Sequence, residues 1–166
     1  MSSDTPESVS SAFEAHEAFE AADSGYLLTT TVFDPTVEAV TEGAKARYTV
    51  TVCVPTLDAA TEEDIGEVLA ESWQETLTRR LEEAPKATRS RVDLDGFGVE
   101  AVGEELRIEY IFTWGNPTRA VEIAKTFAEY VEGTYVEGIV PGYDYEPPIS
   151  SLLADASQSG EGGTPL

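Results

Sequence analysis

The sequence predicts an α+β domain: a four-stranded antiparallel sheet with helices packed on one of its faces. Apolar and polar residues alternate almost without fault over 44–54 and again over 105–114. This period of two is typical of half-buried strands. Between these strands, apolar residues recur at four-residue spacing, which indicates a long amphipathic helix: Ile65, Leu69, Trp73, Leu77 and Leu81.

The predicted elements follow one another as α-β-β-α-β-β-α, which makes two successive ββα units. The first helix carries Phe13 and Phe19, and a bulge at Asp95-Gly96 would keep one face of the third strand apolar. Short connections favour antiparallel hairpins. The elements are a helix over 8–22, strands over 26–34 and 44–54, a helix from 61 to 85, strands over 89–101 and 105–114, and a helix from 117 to 133.

The last part of the chain predicts a helix, an irregular segment and a tail. Asn116 and Pro117 supply an N-cap and a first-turn proline, and Gly133 is expected to end the helix. Residues 134–149 are short apolar runs broken by Gly and Pro, which predict an ordered, non-helical segment. We therefore expect one domain over 8–150, a flexible N-terminus over 1–7, and a disordered acidic, Gly-rich tail over 151–166.

The charge balance is extreme for a chain with enough apolar residues to build a core. Thirty-two acidic residues face ten basic ones, giving a net charge of −22, and 41% of the residues are hydrophobic. The acidic residues are spread from Asp4 to Glu161, whereas a nucleic-acid mimic would concentrate them. At about 1 M salt the Debye length is only about 3 Å, so self-repulsion is screened. We expect a halophilic protein that requires high salt for stability.

Several features bound the compartment and the partners. The single cysteine, Cys53, excludes an intrachain disulfide and fits a reducing compartment. The N-terminus lacks the basic and apolar regions of a signal peptide, and no apolar run reaches 18 residues. The chain is therefore expected in the cytoplasm, with no membrane contact. Nucleic-acid binding is disfavoured, because the basic cluster at residues 79–91 lies among glutamates.

No motif in the sequence predicts catalysis, a cofactor or a metal. His16 is the sole histidine and Cys53 the sole thiol, so neither a zinc site nor a Cys–His pair is supported. Asp93 and Asp95 form a carboxylate pair of the kind that chance produces in so acidic a chain. The Gly-rich stretch over 96–98 lacks the helix and lysine of a phosphate loop. The sequence therefore leans against an enzyme.

Three aromatic residues are candidates for partner binding. Trp114 lies at a sharp strand-to-helix junction, and Tyr143 and Tyr145 lie in a segment framed by prolines. Aromatic side chains on stiff, irregular backbone suit recognition of a peptide or a small molecule. Alternatively, the tyrosines hold their segment onto the domain.

The low lysine content, the many Glu and Thr residues and the stretch TWGNPTRAVEIAKTFAEYVEGTYVEGIVPGYDYEPPISSLL resemble an uncharacterised haloarchaeal protein family, a domain of unknown function. The resemblance covers roughly residues 13–153. It implies no known activity, and no functional residue can be transferred. The element order also resembles, with one strand fewer, the secretion-chaperone-like fold, a dimeric binder of partner segments.

Two functions from different classes are compatible with these patterns. The first is a non-enzymatic, chaperone-like module that binds a protein partner, a peptide or a second copy of itself. The alternative is a small-molecule-binding domain or small enzyme that uses carboxylates and tyrosines in a pocket. The alternative requires a deep cavity with a buried carboxylate whose pKa is shifted.

Overall fold

A computed structural model describes residues 5–162, and over 156–162 it describes the backbone alone. Within this part of the chain, six strands form one antiparallel sheet and five helices accompany it. The α+β class is confirmed. The predicted four-stranded sheet and the order α-β-β-α-β-β-α are wrong.

The sheet has the strand order β1-β2-β3-β4-β6-β5, and every neighbouring pair is antiparallel. A short 3₁₀ turn, Ala84–Ala87, follows the third helix. The elements are α1 (Glu7–Glu14), β1 (Phe19–Ala21), β2 (Tyr26–Leu28), β3 (Thr36–Glu42), β4 (Lys45–Pro55), α2 (Leu57–Ala60), α3 (Glu67–Leu81), β5 (Gly96–Val102), β6 (Glu105–Trp114), α4 (Pro117–Glu137) and α5 (Ile149–Gly162).

The pairing of β4 with β6 forms the centre of the sheet. Alternate residues of both strands are buried, among them Tyr48 on β4 and Tyr110 and Phe112 on β6. Helix α4 packs on this row, and α1 and α3 pack on α4. Residues of the opposite parity, such as Thr49 and Ile111, are only half-buried. One face of the sheet is therefore covered by helices and the other is open.

Two glycines allow the hairpins that bring the long strands together. Gly43 lies between β3 and β4 with φ +62°, and Gly103 lies between β5 and β6 with φ +63°. A two-residue hairpin turn of type II′ has a positive φ at its first central position, which favours glycine. The turns fix the register, so that Glu42 pairs with Lys45 and Val102 with Glu105.

The first error of the sequence prediction concerns the helix over 8–22, because α1 ends at Glu14. After it, the backbone N–H of Ala18 donates to His16 Nδ1 at 3.1 Å, and the chain turns into β1. Phe19 is buried as predicted, but it lies on a strand and meets Phe13 edge-on at 5.0 Å. Two aromatic residues from different elements thus share one part of the core.

The second error concerns residues 36–42, for which no strand was predicted between Asp34-Pro35 and the turn expected at Glu42-Gly43. They form β3, which pairs with β4 along its whole length. Val37 and Ala39 alternate as buried residues on it. Asp34-Pro35 on one side and Glu42-Gly43 on the other suggested a turn, but each pair marks one end of this strand.

The helices also differ from their predicted bounds. The helix predicted over 61–85 is shorter in the structure: it corresponds to α3 alone, with Gly66 as the N-cap, and the short α2 lies before the predicted start. Helix α4 continues through Gly133 to Glu137, where Thr134 and Tyr135 are buried. An interior glycine costs a helix only about 1 kcal/mol relative to alanine, which such burial offsets. No bulge interrupts β5, because the strand begins at Gly96, where the parity switch falls.

The predicted non-helical segment is shorter than expected, and a helix follows it. Residues 138–148 connect α4 to α5 and are called the α4–α5 loop below. Helix α5 covers Ile149–Gly162, and all but its first two residues lie in the stretch predicted to be a disordered tail. Residues 1–4 and 163–166 lie outside the described part of the chain, and the domain bounds stay a prediction. None of the described helices is both long and apolar enough to cross a bilayer.

Three tyrosine hydroxyl groups lie in the core, and they differ in their partners. Tyr110 donates to the carbonyl oxygen of Leu81 at 2.6 Å, and Tyr135 donates to that of Pro55 at 2.9 Å. The hydroxyl of Tyr48 is buried without a partner among the described residues. Burial raises the pKa of Tyr48 to about 12 and also raises the pKa of Tyr110.

This contrast predicts opposite outcomes for two chemically identical substitutions. Tyr110→Phe removes the donor and leaves the Leu81 carbonyl unpaired, so the free energy of unfolding should fall by about 1–3 kcal/mol. Tyr48→Phe removes a buried hydroxyl with no protein partner and should leave stability unchanged or raise it. Denaturant titration in molar KCl measures both, and equal losses in the two variants would contradict the assigned hydrogen bonding.

Candidate binding site

The structure places the three predicted binding residues at opposite ends of α4. Trp114 ends β6, just before the first turn of α4, whereas Tyr143 and Tyr145 lie in the α4–α5 loop after its last turn. A helix of 21 residues is about 30 Å long. Trp114 therefore does not share a surface patch with the two tyrosines.

Tyr145 lies where the α4–α5 loop is anchored to the domain. Its backbone forms an isolated bridge with Thr61, and its hydroxyl donates to the carbonyl oxygen of Val140. On either side, Glu62 N donates to Asp144 O at 3.1 Å and Glu146 N donates to Ala60 O at 2.9 Å. Desolvation raises the pKa of the Tyr145 hydroxyl. The loop is thus attached to the domain by hydrogen bonds, and Tyr145 contributes to this attachment.

An apolar groove lies between α3 and this anchored loop. It encloses about 210 Å³ and is called the α3 groove below. Val68, 83% exposed on α3, lies one helical turn before the lining residue Ser72. The residues that line the groove are Leu69, Ser72, Trp73, Thr76, Leu77, Arg80, Gly138 and Val140.

Trp73 is the main aromatic residue of the α3 groove. It is 6% exposed and meets Tyr135 edge-on, with ring centroids 5.8 Å apart. Its indole N–H has no hydrogen-bond acceptor within residues 5–155, where side chains are described. Buried indole N–H groups usually find an acceptor. The sequence analysis missed Trp73 as a site residue because its spacing on α3 is that of a core residue.

Arg80 forms the polar rim of the groove. Its guanidinium contacts Glu137 at 2.6 Å, and its carbonyl oxygen accepts a hydrogen bond from Tyr130 at 2.9 Å. These contacts join the end of α3 to the end of α4. The groove therefore has fixed sides, an apolar floor and a charged rim.

The carboxylates of the described residues lie outside the core. The buried polar residues there are Thr31, Thr61 and Thr134. No group of three or more His, Cys, Asp or Glu side chains in the described chain could hold a metal ion. The buried carboxylate that the small-enzyme alternative requires is not among the described residues.

His16 connects two helices. Its Nδ1 accepts from the backbone N–H of Ala18, so the ring proton lies on Nε2, which donates to Glu122 Oε2 at 2.7 Å. Its ring also meets Phe19 edge-on at 5.5 Å. The imidazole thus joins the end of α1 to α4.

Cys53 lies on the open face of the sheet and is half-buried. Burial raises the pKa of its thiol, the carboxylate of Glu105 raises it further, and the nearby Arg107 opposes this. A thiol with a raised pKa is mostly protonated near neutral pH and is a weak nucleophile.

These features define an α+β domain with one open sheet face and an apolar groove between α3 and the α4–α5 loop. The chain belongs to DUF5813, a family of unknown function, whose model matches residues 14–155. This confirms the expected membership of an uncharacterised family. No curated protein and no solved structure matches the chain. The resemblance to the secretion-chaperone-like fold rested on an element order that the structure does not have.

The anchoring of the α4–α5 loop predicts different effects for its two tyrosines. Tyr145→Phe removes the hydroxyl bond to Val140, worth about 1 kcal/mol, so the loop should open about fivefold more often. Hydrogen exchange at the amides of Glu62 and Glu146 should accelerate accordingly. Tyr143→Phe, the matched control, should leave both rates unchanged. Equal rates in the Tyr145 variant and the wild type would show that the hydroxyl does not hold the loop.

Proposed function

We propose that this protein is a non-enzymatic module that binds an extended segment of a partner protein in the α3 groove. The observation that carries the proposal is the groove itself, an apolar floor between a helix and an anchored loop, with Trp73 in its lining.

The size of the groove favours one anchoring side chain over a whole small molecule. Pockets that bury drug-sized ligands enclose about 300–1,000 Å³, whereas the α3 groove encloses about 210 Å³. Protein interfaces often depend on a few buried anchors that fill pockets of this kind. The exposed Val68 beside the groove extends the apolar surface available to a longer segment.

Two lining residues of the α3 groove are of types that protein interfaces favour. Trp and Arg are enriched at the centres of protein interfaces, and here Trp73 lies in the groove and Arg80 at its rim. The alternative pocket of carboxylates and tyrosines has less support, because the described carboxylates lie outside the core and Tyr145 anchors its own loop.

A selection experiment tests the groove directly. A display library of random peptides is selected against the full chain in molar KCl, and the enriched peptides are titrated against two variants. Thr76→Glu places a charge in the groove and should weaken binding by about tenfold or more. Ser11→Glu adds the same charge to an exposed position on α1 and should bind as the wild type does.

The outcomes of the selection are distinct. Failure to enrich any peptide, or enriched peptides that bind the Thr76→Glu variant as tightly as the wild type, would overturn the proposed site. Sedimentation of the wild type in the same salt tests the second-copy alternative: a dimer that Thr76→Glu dissociates would identify the partner as another copy of this chain.

We propose further that the protein works at molar salt in the cytoplasm of a halophilic archaeon. Even if every Lys and Arg were paired with a carboxylate, 22 negative charges would remain. In the described chain, Lys and Arg pair with only five glutamates, namely Glu42, Glu83, Glu109, Glu129 and Glu137. The lone Cys53 is compatible with a reducing compartment.

This proposal predicts a steep dependence of stability on salt. Lowering KCl from molar to about 0.1 M lengthens the Debye length from about 3 Å to about 10 Å and restores self-repulsion. A loss of a few kcal/mol would lower Tm by about 10 °C in a chain of this size. Sucrose, which does not screen charge, should restore far less of the loss. A Tm that is the same at both salt concentrations would refute the requirement.

A further inference from the structure

We propose that a second site, at the opposite end of α4 from the groove, binds a small organic anion that carries a flat ring. The site is called the arginine cleft and is defined by Arg89, Ser90, Trp114, Arg119 and Glu122. It consists of two cavities of about 380 Å³ and about 540 Å³, which share Ser90, Arg119 and Glu122. Each falls within the roughly 300–1,000 Å³ of small-ligand pockets.

Within the described part of the chain, the two arginines have no counter-ion. Acidic residues outnumber basic ones by 32 to 10 in this chain. Yet among the described residues Arg79, Arg89, Arg91 and Arg119 form no ion pair, whereas Arg47, Arg80 and Arg107 do. Of these four, Arg89 and Arg119 line the same cavity. Two unpaired guanidinium groups on the walls of one cleft are therefore available to an anion from outside.

Arg119 lies at a position that is unfavourable for a cation. It is the third residue of α4, and the side chain of Asn116 accepts from its backbone N–H at 2.9 Å. A cation in the first turn of a helix is opposed by the helix dipole. Residues that are unfavourable for their local structure, and that no other protein group stabilises, are expected at functional sites. A bound anion would supply the missing compensation.

Hydrogen bonds hold the backbone on both sides of Arg89. The oxygen of the Thr88 hydroxyl lies 2.9 Å from Pro85 O and 2.5 Å from Ser90 O, so its one proton is shared between these two acceptors. These bonds tie the residues on both sides of Arg89 to the 3₁₀ turn that follows α3. The backbone of Arg89 is therefore already ordered, so less conformational entropy is lost when its side chain binds a ligand.

The chemistry of the lining residues specifies the class of ligand. A guanidinium group binds carboxylate or phosphate through two parallel hydrogen bonds. Ser90 adds a hydroxyl, and Trp114, half-buried at the adjoining cavity, offers an aromatic surface to a flat ring. Glu122 is the carboxylate on the wall, and His16 engages one of its oxygens at 2.7 Å.

Calorimetric titration of the full chain tests the site with four probes. Adenosine monophosphate and phenylacetate each combine a ring with an anionic group, and they separate phosphate from carboxylate recognition. Inorganic phosphate supplies an anionic group without a ring, and adenosine supplies a ring without an anionic group. Chloride competes for guanidinium groups, so the titrations use the lowest KCl concentration that keeps the wild type folded.

Arg89→Gln and Arg119→Gln should each weaken binding of the preferred ring-bearing anion by about tenfold or more. Arg119→Lys keeps the charge but loses the planar fork, so it should also weaken binding. Arg79→Gln is the matched control: it removes the same charge from an arginine on α3 that lines a different surface. It should bind as the wild type does.

A stability measurement separates loss of the site from loss of the fold. Because Arg119→Gln removes a cation from the first turn of α4, its Tm should equal or exceed that of the wild type. The proposal is overturned if no ring-bearing anion binds, if the two glutamine variants bind like the wild type, or if Arg79→Gln weakens binding equally. Inorganic phosphate binding as tightly as adenosine monophosphate would overturn the role given to Trp114.

Discussion

The structure depends on the pairing of β4 with β6. This ladder aligns Tyr48 with Phe112 on the covered face of the sheet, and their rings stack 5.1 Å apart. Phe127 of α4 packs against Phe112 and Tyr110, which seats the helix along the ladder. Because α4 is long, its two ends emerge at opposite sides of the domain. The arginine cleft lies at one end and the α3 groove at the other, so one packing contact positions both surfaces.

The sequence predicts the elements whose patterns are long. β4, β6 and α4 each repeat their period several times, and tertiary context does not override such signals. Of the two strands that were not predicted, β1 contains three residues, too few to show a period, and forms because it pairs with β2. β3 contains seven residues, but it lies between two residue pairs that are typical of turns. The order of the six strands depends on these pairings. The alternation of apolar and polar residues therefore predicts four strands, whereas the sheet has six.

Residues that line the surfaces give weaker sequence signals than the long strands and helices, for a physical reason. Whether the indole N–H of Trp73 meets an acceptor depends on residues far away in the sequence, so its spacing on α3 revealed only burial. Trp114 was selected because it lies at a strand-to-helix junction, and it lines a cavity. Arg119 did carry a readable signal, because a cation directly after Asn116-Pro117 falls in the first turn of a helix. Tyr145 looked like a recognition residue, but its hydroxyl bonds within its own loop.

The two borders of the sheet are unequal. β1 has three residues, whereas β5 has seven, with Glu100 as its one charge and Val102 54% exposed. A long, nearly uncharged border strand is a template for a strand from another molecule, and short strands or added charges normally prevent this. Here the electrostatic repulsion between whole molecules, each with a net charge of −22, is what remains to prevent such pairing. Salt stabilises the single chain but screens this repulsion between chains. Resistance to aggregation is therefore expected to be greatest at an intermediate ionic strength.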